Sequence, residues 1–424
     1  MTKHIFKIIW NERKANAWIV LEYVLVFCIL WFCCDYLYYI AKCYYEPLGF
    51  DITNTYAIGM SEKELDDTET GVRELNEEDK YMYALTMIER LQQHPDIEAV
   101  ALSSSSVPYS GSSSSTGFQI DSDSIYHSIR VRHVSSGFFD VFRIKLVNGS
   151  IFDWTNPADQ QQVVISSDRE GYFGDQMKEK HKISDVKVIK YGEDDIFYTQ
   201  GYTEKLKGTF FDPYESTAFH PLKKSYVDLL SSEISIRVRP NTTKDFEKQF
   251  IKEMNEFLSI GPYRFSYISS LKDMRKNAAR WSGITENMKS ILAITSFLII
   301  NIFLGIIGTF WYRTESRKSE IGLRIALGAS RKRIRLLLCT ETFLLLLVSS
   351  IIGVNIIINI AQTDILNALG IPQADPVQIG SGIEQYFINF GITFLFLLAV
   401  SLIAVWYPAK QSSDMHPADA LHEE

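Results

Sequence analysis

The sequence predicts an integral membrane protein with four transmembrane helices and a large extracytoplasmic α+β domain between the first and the second helix. A helix needs about 20 apolar residues to cross the hydrocarbon core of a bilayer. Four segments meet that length and are apolar on every side, unlike the one-sided helices of a soluble protein. They are residues 17–40, 290–312, 336–360 and 387–407. The hydrophobic content of 46% is ordinary for a soluble protein, so the prediction rests on where these residues lie.

The distribution of positive charge predicts the orientation of the four helices. The loop at residues 313–335 carries eight Lys and Arg side chains against two acids, Glu315 and Glu320. The connection at residues 361–386 carries no Lys or Arg. Loops rich in Lys and Arg are retained in the cytoplasm. Both termini and the loop at 313–335 are therefore expected inside, and residues 41–289 outside.

The first apolar segment is expected to remain as a membrane anchor. It is longer than the apolar region of a signal peptide, and it lacks a small-residue cleavage site. The chain is then expected to divide into a cytoplasmic N-terminal segment (1–16), transmembrane helix 1 (17–40), an extracytoplasmic domain with a stalk (41–289), transmembrane helix 2 (290–312), a cytoplasmic elbow (313–335), transmembrane helix 3 (336–360), an extracytoplasmic loop (361–386), transmembrane helix 4 (387–407) and a cytoplasmic tail (408–424).

The extracytoplasmic region alternates predicted strands and helices, which indicates an α+β domain in one or two lobes. Residues 51–80 and the Ser-rich residues 103–116 are expected to be loops. Residues 271–289 are expected to form one helix that continues into the second span as part of the stalk. The other predicted elements are helices at 78–93 and 244–258, a short helix and a strand within 138–147, and strands at 97–102, 129–134, 162–166, 186–189, 210–212, 234–238 and 264–268.

Cysteine content and charge exclude two classes of protein. Four of the five cysteines lie in the predicted spans, which leaves Cys43 alone outside. One exported cysteine cannot build an internal disulfide framework, so a hydrophobic core must stabilise the outer domain. The basic residues lie at the membrane boundary of a chain whose net charge is −8, and nucleic-acid binding is therefore not implied.

The elbow (residues 313–335) is predicted to form two helices. Apolar residues four apart, Ile321 with Ile325 and Leu323 with Leu327, favour a first helix. A glycine such as Gly328 can end a helix in the left-handed conformation, and a serine can cap the start of the next helix. A basic, amphipathic and rigid cytoplasmic elbow is typical of a docking surface.

Sequence motifs give catalysis little support. No glycine in the chain is followed by lysine, which excludes the phosphate-binding loop of Walker A type. Zinc-protease, serine-hydrolase and clustered Cys/His motifs are also missing from the sequence. The eight histidines are scattered, and His94, His127, His133, His181 and His220 are expected to be surface residues and not ligands. We therefore expect no enzyme activity, no catalytic residue, no cofactor and no bound metal.

Three acidic residues lie in or near the predicted spans. They are Glu22, Asp35 and Glu341. An ionisable residue within a membrane points to a functional site. Each lies close to a membrane face, however, so packing against a partner or reaching to the interface is an equally good explanation. Glu341 is kept as a weak functional candidate.

Several short motifs resemble those of the MacB/FtsX-type permeases of ABC transporters, which combine a MacB-like periplasmic core domain with an FtsX-like permease domain. The sequences at 320–324 (EIGLR) and 326–330 (ALGAS) resemble the family's loop after its second span. The sequences at 408–410 (PAK) and 417–421 (PADAL) resemble its C-terminal tail. The tail departs from the family in having His416 where Asp is common and only one basic residue.

The resemblance implies a permease subunit that couples ATP hydrolysis by a separate ATPase to movement of the extracytoplasmic domain. The expected result is export or extraction of a peptide, drug or lipid-like substrate by mechanotransmission. The implied partners are a cytoplasmic ABC ATPase that binds the ATP, a second identical or related permease chain and the lipid bilayer, with a periplasmic adaptor and an outer-membrane channel as further candidates. The implied location is the bacterial inner membrane. The residues expected to couple to the ATPase are Glu320, Gly322, Arg324, Leu327, Gly328, Ala329, Ser330 and Arg333, and the tail contacts are Pro408, Pro417 and Leu421.

Two alternative functions stay open. A regulator of cell-wall hydrolases outside the membrane would share the same architecture. A membrane-anchored ligand sensor would recruit its partner through the elbow, although such a sensor usually carries a larger cytoplasmic output domain. The sequence does not separate transport from signalling.

The predicted orientation is tested by cysteine labelling. Ser330→Cys and Ser381→Cys should react with a membrane-impermeant maleimide from opposite sides, because positive charge places residue 330 inside. In intact cells only Ser381→Cys should label. Labelling of both positions from outside would contradict the four-helix topology.

Overall fold

The computed structural model of the chain describes residues 13–64, 71–120, 126–167, 173, 187–190, 196–210, 212, 214–240, 245–361, 363 and 382–414. The helices are α1 (Arg13–Tyr45), α2 (Glu77–Gln92), α3 (Gly137–Phe142), α4 (Phe246–Met254), α5 (Leu271–Trp281), α6 (Ile284–Ser316), α7 (Lys318–Ala326), α8 (Arg331–Ala361) and α9 (Gly382–Asp414). The strands are β1 (Thr55–Glu62), β2 (Ile97–Ser104), β3 (Ser114–Ile120), β4 (His127–Val134), β5 (Leu146–Gly149), β6 (Gln162–Ser166), β7 (Lys187–Lys190), β8 (Ile196–Thr203), β9 (Thr217–Pro221), β10 (Glu233–Val238) and β11 (Tyr263–Ser270).

The chain forms two compact units, of which the first combines Met1–Lys42 with Thr285–Glu424. In this unit, α1, α6, α8 and α9 are each long and apolar enough to cross a membrane. The predicted four-helix membrane fold is therefore confirmed. The helices extend past the predicted spans. For example, α9 continues to Asp414, whereas the predicted span ends at residue 407.

Interlocking aromatic and aliphatic side chains hold the membrane unit together. Its core takes Phe27 and Trp31 from α1, Ile306 from α6, Leu346 from α8 and Leu397 from α9. Trp31 stacks on a tyrosine of α9, with ring centroids 5.5 Å apart and planes 8° apart. Close packing of this kind stabilises helices within a bilayer, where burial of apolar surface supplies little driving force.

A buried polar contact also joins α1 to α9. The side-chain amide of Asn389 donates a hydrogen bond to Oδ1 of Asp35, and both residues are buried. A polar group inside an apolar bundle must be hydrogen-bonded, so this pair constrains how the two helices meet. The hydrogen bond therefore explains in structural terms why an acidic residue, Asp35, lies within an apolar helix.

The second unit, Cys43–Ile284, contains an eleven-stranded sheet among its described residues. Four strands form an antiparallel part in the order β11-β1-β10-β2. The other part is reached through β2, where Ser103 pairs with Val134 of β4. The predicted α+β fold is confirmed, with two lobes.

The second lobe is a small barrel. Its strands follow the order β4-β3-β7-β8-β6-β9, and β9 closes the ring by pairing in parallel with β4, with Val131 opposite Ala218. Alternate residues of these strands point inward. They form a separate core that includes Phe118, Ile129, Val163, Ile165, Val188 and Ala218. Closure leaves these strands without an exposed pairing edge.

Helices cover the first lobe. The buried residues of α2 are Tyr81, Ala84, Met87 and Leu91, a spacing that places them on one face. The side chain of Asn76 caps this helix by accepting a hydrogen bond of 2.8 Å from the backbone N–H of Asp79. Both α2 and α3 pack on β2, and α4 packs on β11.

Several local predictions were wrong. The predicted loop at 51–80 contains β1, and the predicted loop at 103–116 contains the end of β2 and the start of β3. Phe210 and Asp212 lie outside the strands, and β8 and β9 were not predicted. The helix expected over 271–289 is two helices, because Gly283 adopts a left-handed conformation (φ +71°) between α5 and α6.

A buried arginine ties the first lobe together. Arg237 of β10 is 1% exposed, and its guanidinium donates to the backbone oxygens of Val141 (2.6 Å), Asp51 (2.6 Å) and Thr53 (2.8 Å). Its Nη1 lies 3.2 Å from Oδ2 of Asp51. One side chain therefore joins β10, α3 and the segment that precedes β1.

Two opposing effects act on the pKa of the Asp51 carboxyl. Partial burial would raise its pKa, but hydrogen bonds from Thr53 and the charge of Arg237 outweigh burial and lower the pKa. A carboxyl with a lowered folded-state pKa stabilises the fold above its unfolded pKa. That contribution is lost as the pH falls through the lowered value.

Arg237→Lys should therefore destabilise the protein by about 2–4 kcal/mol, because one ammonium cannot satisfy the carbonyls that the guanidinium binds. Urea unfolding of the full chain in detergent, followed by tryptophan fluorescence, measures the change. Arg264→Lys, at an exposed position of β11, is the matched control and should have little effect. Arg237→Met should also reduce the loss of stability between pH 5 and pH 3. Equal effects at positions 237 and 264 would contradict this role.

Candidate functional site

The elbow consists of a short helix between two long ones. Helix α6 ends at Ser316, α7 follows at Lys318–Ala326, and α8 begins at Arg331. Gly328 has φ +90°, the left-handed conformation that the sequence predicts at the end of α7. Its N–H donates to the carbonyl of Ile325 (2.9 Å), and the N–H of Ala329 donates to the carbonyl of Arg324 (2.9 Å). These two bonds form a Schellman motif, which fixes the chain reversal after α7.

The start of α8 is equally well defined. Ser330 is the residue before this helix, and its carbonyl accepts hydrogen bonds from the backbone N–H groups of Arg333 (2.9 Å) and Ile334 (3.3 Å). Backbone hydrogen bonds therefore define both sides of the gap between α7 and α8. The elbow is a hydrogen-bonded turn with a helix on each side.

The two apolar pairs predicted on α7 face in different directions. Ile321 and Gly322 are buried in the membrane unit. Leu323 is 51% exposed and Leu327 is 79% exposed. Of the other predicted coupling residues, Glu320, Gly328, Ser330 and Arg333 are exposed, while Arg324 and Ala329 are half-buried.

The elbow has exposed charges and charges that pair with a buried residue of the membrane unit. Arg324 Nη2 lies 2.5 Å from Glu320 Oε1, one helical turn away on the surface of α7. Such an exposed pair stabilises a helix by about 0.3–0.5 kcal/mol. Lys332 and Arg333, at the start of α8, are exposed. The surface charge therefore contributes little to folding and is accessible to a partner.

Glu341 is the buried partner of one of the elbow's charges. Its side chain is buried in α8, and its Oε2 lies 3.3 Å from Nη1 of Arg317, the residue between α6 and α7. Removing one partner of a buried ion pair leaves the other charge uncompensated. The predicted intramembrane acid is thus an anchor for the start of the elbow.

Comparison with known proteins agrees with this architecture. Residues 292–417, which contain the elbow and three of the long helices, match the family described as FtsX-like permease C-terminal. The chain is 24% identical over 306 residues to the macrolide export ATP-binding/permease protein MacB of Haemophilus ducreyi, covering 69% of this chain and 40% of MacB. It is 21% identical over 315 residues to the uncharacterized ABC transporter permease YvrN of Bacillus subtilis, covering 71% of this chain and 73% of YvrN.

The matched domain and these relatives support a MacB/FtsX-type ABC transporter permease. Among solved structures, it is similar to the periplasmic region of MacB from Actinobacillus actinomycetemcomitans, with 14% identity and a TM-score of 0.32 over 56% of this chain and 97% of that one. The chain spans about 40% of the length of the MacB proteins from Haemophilus ducreyi and Pseudomonas entomophila that it matches. As a MacB/FtsX-type permease with four apolar helices, it is a multi-pass protein of the bacterial inner membrane.

The permease tail is placed differently from the expectation. Pro408 is buried inside α9, where its carbonyl accepts a hydrogen bond from the Ser412 hydroxyl (2.8 Å). It is therefore part of the membrane unit and not a free tail residue. Pro417 and Leu421 lie outside the described residues.

Sequence reasoning missed the contacts that hold the end of α9. Asp414 Oδ1 lies 3.0 Å from Arg335 Nη2 and 3.5 Å from Arg331 Nη1, both on α8. Arg335 also donates from Nε to the Ser413 hydroxyl (2.8 Å). The elbow's basic residues had been assigned to topology and docking, and no local pattern marks their distant partners.

In the part of the chain that the structure describes, no group of three or more His, Cys, Asp and Glu side chains is placed to hold a metal ion. The chemistry that the elbow offers is recognition by apolar and basic side chains.

Glu341→Gln should destabilise the membrane unit by about 3 kcal/mol, because Arg317, whose side chain is 14% exposed, would lose its carboxylate. Glu320→Gln is the matched control and should cost less than about 0.5 kcal/mol. Thermal unfolding in detergent micelles compares the two variants. The double change Arg317→Met and Glu341→Leu should recover most of the loss. Indistinguishable single variants would contradict the anchoring role.

Proposed function

We propose that this chain is a permease subunit whose elbow docks an ATPase on a separate chain and transmits ATP-driven motion to its extracytoplasmic domain. The cycle would export or extract a peptide, drug or lipid-like substrate. The observation that carries the proposal is the rigid elbow, which presents exposed apolar and basic side chains between two membrane-spanning helices.

The exposed surface of α7 supports docking. Leu323 and Leu327 are large apolar residues that point away from the membrane unit, and Lys332 and Arg333 lie at the start of the next helix. Apolar residues at the centre of a contact supply most of its energy, and surrounding charges supply specificity and association rate. An ATPase surface with an apolar groove and acidic rim would complement this arrangement.

The rigidity of the elbow supports transmission of force. The Schellman motif at Gly328 fixes one end of α7, and the ion pair between Arg317 and Glu341 fixes the other. A displacement of α7 would then be passed to α6 and α8 and not absorbed by the loop. Rigid-body displacement of packed helices is an established form of conformational switching.

The hydrogen bonds of polar residues within the helices support a mechanism based on helix displacement and not on a hydrophilic channel. The hydroxyls of Thr342, Ser349 and Ser350 in α8 donate to backbone carbonyls of the same helix, at 3.0, 2.9 and 2.9 Å. Hydroxyls bonded in this way use their only donor within the helix and have only acceptor capacity left for a water-filled path. The substrate would be handled outside the membrane or at its outer leaflet.

The MacB relatives are named as combined ATP-binding and permease proteins, whereas we assign ATP binding to a chain other than this one. No glycine in this sequence is followed by lysine, so the sequence lacks the loop that would hold ATP phosphates. An ATPase dimer would engage two permease chains, either identical or related. A periplasmic adaptor and an outer-membrane channel would be additional partners.

The proposal is tested with paired spin labels. The permease carrying Lys276→Cys in a background without native cysteines is co-expressed with its ATPase and reconstituted, and the distance between labels in the two copies is measured with and without ATP. ATP should change the distance, and the chain alone should neither bind nor hydrolyse ATP. Glu320→Lys with Gly328→Val should abolish both co-purification of the ATPase and the distance change, because a β-branched residue is strained at φ +90°.

Glu315→Lys, at an exposed position before α7, is the control and should preserve both signals. Unchanged co-purification in the double variant would contradict docking by the elbow. A label distance that stays constant while transport proceeds would contradict mechanotransmission.

A further inference from the structure

The extracytoplasmic unit contains a large cavity that the proposed coupling does not use. Its volume is about 940 Å³, within the range of small-molecule sites. One wall is the serine-rich loop at 105–113, and the opposite wall is α5. Arg130 and Arg132 of β4 also line it, together with residues 208–210 and Asp212. All of these residues belong to the same compact unit.

Positive charge dominates the lining. The cavity is lined by Arg130, Arg132 and Arg275, and Asp212 is the acid among its lining residues. Arg130 is neutralised, because its Nη2 lies 2.7 Å from Oε2 of Glu215. Among the described residues, neither Arg132 nor Arg275 has a carboxylate within 4.0 Å. Two guanidinium groups therefore remain for a ligand.

Arg132 is unusual for a cation because it is 5% exposed. Its Nη1 donates to the carbonyl of Ser106 (3.0 Å), and the guanidinium lies over the Phe219 ring. Burial, reinforced by the nearby charge of Arg130, lowers the pKa of Arg132 to about 10, so the side chain is still charged at neutral pH. A buried guanidinium has five N–H donors, and an anion in the cavity would satisfy those that Ser106 does not use.

An aromatic wall stands beside these charges. Phe210 stacks on Tyr109 with ring centroids 6.2 Å apart, and Arg275 lies over Phe210 at 4.6 Å. The Tyr109 hydroxyl is buried and has no hydrogen-bond partner among the described residues. Tyr109 lines the cavity, and its buried hydroxyl would gain a hydrogen-bond partner from a ligand that reaches it. Met274 of α5 adds an apolar surface.

The serine-rich loop holds a strained conformation that is fixed from behind. Ser105 (φ +49°) and Tyr109 (φ +67°) are both in the left-handed region. Glu233 Oε2 accepts hydrogen bonds from the backbone N–H groups of Ser106 (2.7 Å) and Val107 (2.8 Å). Backbone strain that the surroundings hold in place is concentrated at binding sites. Here both strained residues line the cavity.

We propose that this cavity binds an amphipathic anion, whose carboxylate or phosphate is bound by Arg132, Arg275 and the Tyr109 hydroxyl and whose apolar part lies against Phe210 and Met274. The anion could come from a soluble amphiphile or from a lipid headgroup, which share this chemistry. Binding does not require the ATPase of the proposed function, so failure of this test would leave the coupling proposal unaffected.

The test uses dodecyl phosphate as the probe and the full chain in nanodiscs of zwitterionic lipid, with binding measured by calorimetry. Dodecyl phosphate should bind at least tenfold more tightly than dodecanol or inorganic phosphate, because each lacks one half of the recognised structure. Arg275→Gln should weaken binding at least tenfold, and Arg275→Lys should retain part of the affinity. Tyr109→Phe should weaken it several-fold while preserving the ring.

Arg280→Gln is the matched control, since Arg280 is an exposed arginine on the same helix that does not line the cavity. It should leave binding unchanged. Phosphatidylglycerol in the nanodisc, added as a second arm, should compete with dodecyl phosphate if the anion is a lipid headgroup and should not if it is soluble. Absence of binding, or equal losses in Arg275→Gln and Arg280→Gln, would overturn the proposal.

Discussion

The ion pair between Arg317 and Glu341 is the interaction on which the geometry of the elbow depends. It joins the residue that separates α6 from α7 to the buried face of α8, at 3.3 Å. Charges removed from water are costly unless they are paired, so the start of α7 has one favourable position. The Schellman motif at Gly328 fixes the other end. The exposed face of α7 is therefore oriented by a largely buried ion pair at its start and by a hydrogen-bonded backbone turn at its end.

Buried arginines in the extracytoplasmic unit show two different uses of the same side chain. Arg237 donates to three backbone carbonyls and lies against the Asp51 carboxylate, so its hydrogen-bonding capacity is met by the fold. Arg132 is also buried, but the described hydrogen bond from its guanidinium goes to Ser106 alone, and the side chain lines a cavity. Because both side chains are shielded from solvent, the difference in their partners separates a structural arginine from one suited to a ligand.

The sequence predicts the features that depend on neighbouring residues and misses those that depend on contacts between distant residues. The four spans follow from local apolar composition, and the left-handed Gly328 follows from residues within one turn of it. The contacts of Glu341 with Arg317 and of Asp414 with Arg335 join distant positions, and no local pattern marks them. The same limit applies to β1. This strand lies between β10 and β11, and its sequence lacks the alternation of apolar and polar residues that marks a strand with one exposed face.

The basic residues of the elbow serve more than the orientation of the membrane helices. Arg317 and Arg335 are committed to acids within the membrane unit, and Arg324 pairs with its helical neighbour Glu320. Lys332 and Arg333 remain exposed beside the apolar Leu327. Topology requires only that positive charge lie on one side of the membrane, and it does not specify which residues are buried. This division between paired and exposed charges would suit the proposed docking, because the paired residues orient the surface and the exposed ones would be free to meet a partner.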